Sequence, residues 1–123
     1  MALGALGQVH ISVSDLPQSV AFYRDVLGIP HLFTVPGQPM AFFQAGDVRL
    51  YLGVPESPEF TSHCVLYFRV EDIDAEAARL RDTGLRVEDP HLINRGPTSE
   101  LWLAALKDPD GHHIVLMHER ATT

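Results

Sequence analysis

Alternating apolar and polar residues run through most of the chain in short stretches, and in two places the period changes to apolar residues three or four apart. Gln8 to Val13 alternates as a strand and leads into Asp15-Leu16-Pro17-Gln18. That tetrad is a helix start: an acidic cap, a proline in the first turn and a Gln that can return a hydrogen bond. Leu16, Val20, Tyr23 and Leu27 follow on one helical stripe that Gly28 ends. His31 to Val35, Pro39 to Ala45 and Val48 to Val54 read as three strands, the last two joined by a tight hairpin at Gly46-Asp47.

The same order then recurs. A strand from His63 to Val70 precedes a helix from an Asp72 cap to Thr83, stopped by Gly84. Strands near Val87 to Ile93, Glu100 to Lys107 and His112 to His118 complete the set, with Asp108-Pro109-Asp110-Gly111 as the final turn. Val13-Ser14-Asp15-Leu16 is thus echoed by Val70-Glu71-Asp72-Ile73, and Arg24-Asp25 before Gly28 by Arg81-Asp82 before Gly84. The pattern predicts an α+β fold of two tandem β-α-β-β-β modules, about 6–54 and 62–119, forming an open, curved eight-stranded mixed sheet. A solvent-facing, non-helical linker over 55–61 joins them in one domain spanning 1–123. Duplicated units share an interface near a pseudo-twofold axis, where concave ligand sites form, so a central cleft is expected.

Composition narrows the function classes. The 46% hydrophobic and 20% charged content is that of an ordinary globular domain, and no apolar run approaches the roughly 20 residues a membrane span needs. The formal net charge of −7, with nine scattered Lys and Arg, argues against nucleic acid and anionic membranes as partners. One cysteine, Cys64, cannot make an intrachain disulfide. With no secretory signal at the N-terminus, a cytoplasmic location is expected.

The paired β-α-β-β-β units, the helix signature from Asp15 to Phe22-Tyr23-Arg24-Asp25-Val26-Leu27-Gly28, and Asp108-Pro109-Asp110-Gly111 before the last strand resemble the vicinal oxygen chelate superfamily. That superfamily includes glyoxalase (lactoylglutathione lyase), extradiol dioxygenases, methylmalonyl-CoA epimerase, fosfomycin-resistance enzymes and the metal-free bleomycin-resistance binding proteins. The resemblance covers almost the whole chain and implies a homodimer. It further implies that metal ligands, where present, come from the first and last strand of each unit. Those positions fall on Gln8, Tyr51, Val65 and Val115. Valine offers no lone pair, and Tyr and Gln are weak ligands for a divalent ion at neutral pH.

Alternation across a strand puts His10 with Gln8, Arg49 with Tyr51, His63 with Val65 and His113 with Val115. Counting across Gly46-Asp47 brings Met40 and Phe42 beside Tyr51. If Asp108 to Gly111 is a four-residue turn, Trp102 faces Met117, so Trp102 and Glu100 join the cleft; a one-residue error would invert this. The candidate substrate-binding set is therefore Gln8, His10, Met40, Phe42, Tyr51, His63, Val65, Glu100, Trp102, His113 and Val115. Apolar walls with few polar groups suit a planar or aromatic organic ligand, bound without metal or other cofactor, although the same residues could simply fill a core.

A sharper alternative is a divalent-metal lyase or dioxygenase of the glyoxalase type, with His10, His63 and His113 converging about one strand repeat, roughly 6–7 Å, from the inherited site. A non-catalytic structural protein is the third reading. His91 with Glu100 could form a proton-transfer pair. His31, His112 and His118 read as structural or solvent-facing, Cys64 as a small residue on the helix-packed face, and Asp108 and Asp110 as turn residues. No residue is assigned a catalytic role.

Overall fold

The computed structural model describes residues 2–122, which fall into two units that divide after Cys64. The first holds β1 (Gln8–Ser12), α1 (Leu16–Ala21), β2 (His31–Thr34), β3 (Met40–Ala45) and β4 (Val48–Gly53). The second holds β5 (Val65–Arg69), α2 (Ile73–Asp82), β6 (His91–Arg95), β7 (Ser99–Lys107) and β8 (His113–Ala121). The eight strands make two mixed four-stranded sheets, ordered β1-β4-β3-β2 and β5-β8-β7-β6. In each, the first strand runs parallel to the last, and the other neighbours are antiparallel. Among the described residues no helix is long and apolar enough to cross a membrane.

The repeated caps fold as the repeated residues dictate. Asp15 accepts from Gln18 N at 3.1 Å and Asp72 from Ala75 N at 3.1 Å. Each satisfies a donor the helix start would otherwise leave open, a contribution of about 1 kcal/mol. Gly28 and Gly84 then turn the chain at φ 77° and 97°, in the region glycine enters without steric cost. The first helix departs from the expected single α-helix. After Ala21 it widens into a π-helix over Phe22–Val26, with Leu27 N donating to Phe22 O at 2.9 Å. Phe22 and Tyr23 are both buried in this segment, and Tyr23 packs against Phe43 with ring centroids 6.0 Å apart.

Alternation settles which side of the first sheet is core. Ile11, Ala41, Phe43, Leu50 and Leu52 are buried on the face that α1 covers, and removal of such side chains from water is worth about 1.5–3 kcal/mol each for the larger ones. In the second unit Ala104, Leu106, Ile114 and Leu116 play the same part against Ile73, Ala77 and Leu80 of α2.

Several expectations for the elements shift. The strand expected near Val87 to Ile93 forms at His91–Arg95, because Asp89-Pro90 interrupts the ladder; Glu88 N alone reaches Ala105 O before it. The last strand is displaced to His113–Ala121. The linker contains a 3₁₀ turn at Pro58–Phe60, so it is not wholly non-helical. Proline at its first position presets the backbone for that turn.

Candidate functional site

The face of the first sheet opposite α1 carries an aromatic row that crosses all four strands. His10 of β1 sits opposite Tyr51 of β4, Tyr51 opposite Phe42 of β3, and Phe42 opposite Phe33 of β2. Ring centroids along the row are 4.7, 5.0 and 4.9 Å apart, and the Phe42 and Tyr51 rings are stacked at 22°. Met40 and Gln8 share this face, and the Arg49 guanidinium lies 5.6 Å above the Phe42 ring. Offset stacking and cation–π attraction hold such a surface as a ridged, apolar platform.

Phe33 is absent from the sequence-derived set. Simple alternation would put it on the same face as His31, which packs edge-on against Phe43 on the opposite side. A bulge between His31 and Phe33 inserts one residue into β2 and turns Phe33 onto the row, where it is 46% exposed. The hairpin at Gly46-Asp47 does pair Phe42 with Tyr51, as its two-residue count requires.

At the β1 end the row opens into a pocket of about 610 Å³, within the range of small-molecule sites. Gln8, His10 and Tyr51 form its floor, and Val54, Pro55, Glu56, Glu59, Phe60, Thr61 and Ser62 its wall. The wall is the segment read from sequence as a linker. Two serines fix it to β1: Ser62 N donates to Ser12 Oγ at 2.7 Å, Ser12 N donates to Ser62 Oγ at 3.0 Å, and the Ser62 hydroxyl donates to His10 O at 3.0 Å. Glu56 and Glu59 add negative charge to a rim whose floor is largely aromatic.

The remaining candidates lie elsewhere. His63 is exposed and precedes β5. Cys64, half-buried, also lies before β5, its Sγ 3.8 Å from His10 O. Val65 and Val115 share one face of the second sheet, since Val65 pairs with His113 and Tyr67 with Val115.

Trp102 and Glu100 do not share that face. The loop between β7 and β8 holds five residues, 108–112, because Asp108 accepts from both Asp110 N and His112 N at 2.9 Å and draws His112 into the turn, buried. Lys107 therefore pairs with His113 and Trp102 with His118. His118 Nδ1 accepts from Ile73 N at the start of α2, so this is the helix-covered face. There Glu100 accepts from Trp102 Nε1 at 3.1 Å and from Arg95 Nε at 2.7 Å. Arg120 lies 4.8 Å over the Trp102 ring while pairing with Asp74. The expected His91 and Glu100 pair is not made: His91 sits opposite Leu103, and Arg95 opposite Glu100. The indole N–H and then the Arg95 guanidinium hold the Glu100 carboxyl below the usual carboxylate range.

Two four-stranded sheets of identical order, each built from a β-α-β-β-β unit, define a paired-module α+β fold. The chain belongs to the Glyoxalase/Bleomycin resistance protein/Dioxygenase superfamily, whose profile matches residues 5–116. It is 29% identical over 128 residues to the YraH protein of Bacillus subtilis (strain 168), covering 91% of this chain and 95% of that one. Among solved structures it is similar to TnmS3, an antibiotic binding protein from Streptomyces sp. CB03234, at 29% identity and TM-score 0.77 over 96% of this chain and 98% of that one. Lactoylglutathione lyase from Agrobacterium tumefaciens shares the fold at TM-score 0.75 and 23% identity, over 96% of each chain.

The four positions that hold metal in the family's metalloenzymes do not fit a divalent ion here. Gln8 and Tyr51 reach the pocket, but Val65 and Val115 offer only methyl groups. Among the described residues no group of three or more His, Cys, Asp or Glu is placed to hold a metal ion.

Proposed function

We propose that this member of the superfamily binds a small, flat aromatic molecule on the face of its first sheet, and does so without a metal. The aromatic row from His10 to Phe33 carries the reading: four rings at stacking distance, one end open to a walled pocket, present a π surface that a planar ligand extends. Similarity to an antibiotic binding protein supports sequestration rather than turnover. Such a role needs shape and stacking alone, which is consistent with ligand positions occupied by valine. The same reading takes the protein to be a homodimer, as the resemblance implies.

Calorimetric titration with 1-naphthol and quinoline tests it, alongside metal analysis of protein purified without a histidine tag. The expected result is saturable binding that a chelator leaves unchanged and that Tyr51→Ala and Phe42→Ala each weaken several-fold to about tenfold, the range set by a lost ring contact. Stoichiometric zinc, nickel, manganese or iron, lost on His10→Ala or His63→Ala, would overturn the metal-independent reading.

A further inference from the structure

Cations are scarce in this chain, and most are spoken for. Nine Lys and Arg serve a net charge of −7, and Lys107 is the sole lysine. Arg24, Arg69, Arg79, Arg81, Arg95 and Arg120 are in ion pairs. Arg49 lies over Phe42. The remaining two, Arg86 and Lys107, form no ion pair among the described residues, and both line one pocket of about 500 Å³ in the second unit.

That pocket lies along the edge of β7, where β6 has not yet begun. Leu85, Val87 and Ala105 supply apolar walls, and His113, directly opposite Lys107 on β8, adds an imidazole. Its only carboxylate is already engaged: Glu88 Oε1 accepts from Ala105 N at 3.0 Å. Ala105 turns both its N–H and its C=O to this edge, since Glu88 N donates to Ala105 O at 3.0 Å. The two-residue alternation of an antiparallel strand turns the Lys107 amide the same way. An acidic chain offers many carboxylates to pair a surface cation, yet Arg86 and Lys107, two of the three without one among the described residues, line the same pocket.

We propose that this pocket binds a small organic carboxylate with an apolar body, its anionic group between the Arg86 guanidinium and the Lys107 ammonium and its body on Leu85, Val87 and Ala105. Charge-assisted hydrogen bonds are the strong ones, and a planar guanidinium suits a carboxylate. The site shares no residue with the aromatic row.

The single lysine makes a direct test possible. Protein reductively methylated with ¹³C-formaldehyde gives one lysine side-chain resonance, and methylation keeps the charge. Titration with benzoate is expected to shift that resonance to saturation in the millimolar range or tighter. Arg86→Gln should weaken binding about tenfold, the loss of one charge-assisted contact, while Tyr51→Ala leaves it unchanged. Failure to saturate would overturn the proposal, as would undiminished binding in Arg86→Gln, and so would inorganic phosphate binding as tightly as benzoate, which would leave the apolar walls without a part. Binding abolished by Tyr51→Ala would place the benzoate on the aromatic row instead.

Discussion

The Tyr51 ring occupies the space that a side chain on Gly53 would need. A Cβ built on Gly53 would lie 2.7 Å from Tyr51 Cε1 and 2.9 Å from its Cζ, so the ring lies along β4 instead of standing off it, flat enough to stack on Phe42. Gly53→Ala is expected to push the ring away. Because the clash is with the free end of a side chain, stability should fall by no more than about 1 kcal/mol. Affinity for 1-naphthol should nevertheless drop several-fold. Calorimetry with a thermal melt separates the two effects, and an unchanged affinity would show that Tyr51 need not lie flat.

The Ser62 hydroxyl makes two of the hydrogen bonds that tie the pocket wall to β1. Ser62 Oγ accepts from Ser12 N and donates to His10 O, both in a partly buried setting. Ser62→Ala should cost about 1–2 kcal/mol and speed hydrogen exchange at the Ser12 amide. Exchange read by mass spectrometry on a peptide spanning residue 12 checks this, and protection equal to wild type would mean the wall is held by other contacts.

Trp102 is a reporter for the second unit. Its indole donates to Glu100, whose carboxyl is held below the usual range, near 4.3 for an unperturbed glutamate, by that bond and by Arg95. A carboxyl whose folded pKa is depressed contributes stability above its unfolded pKa and loses it as pH falls through the folded one. Trp102 emission should therefore hold steady through pH 5 and change only below the ordinary glutamate midpoint; Glu100→Gln should abolish that step. A midpoint at or above the ordinary value would contradict the geometry.

Asp108 holds the five-residue loop together by accepting two backbone N–H bonds while buried. Asp108→Ala strands both donors and is expected to cost about 2–3 kcal/mol, whereas Asp108→Asn, which keeps an acceptor oxygen, should cost less. Urea denaturation of the two variants gives the comparison, and equal losses would assign the effect to charge instead.

Local chemistry was the readable part of the sequence. The two Asp caps, the glycine stops and the Gly46-Asp47 hairpin each depend on neighbours within a few residues, and each appears where the pattern placed it. What misled was parity accumulated over distance. One residue in the β7–β8 loop moved Trp102 and Glu100 to the helix-covered face, and one residue in the β2 bulge brought Phe33 onto the aromatic row. The wall from Val54 to Ser62 carries no periodic signal, because its place is set by Ser12 and Ser62, fifty residues apart. Of the candidate residues, Gln8, His10, Met40, Phe42 and Tyr51 come together on one sheet face because two-residue turns and parallel pairing preserve their count.

Each sheet closes only when its first strand finds its last, β1 with β4 and β5 with β8, so neither can be completed by a nascent chain until the whole unit has been made. At about 5–20 residues per second, synthesis of the second unit occupies several seconds after Cys64 is added. During that interval the first unit already has every residue of the aromatic row and of the pocket wall through Ser62. The aromatic row and its pocket can therefore be complete while the second unit is still being made.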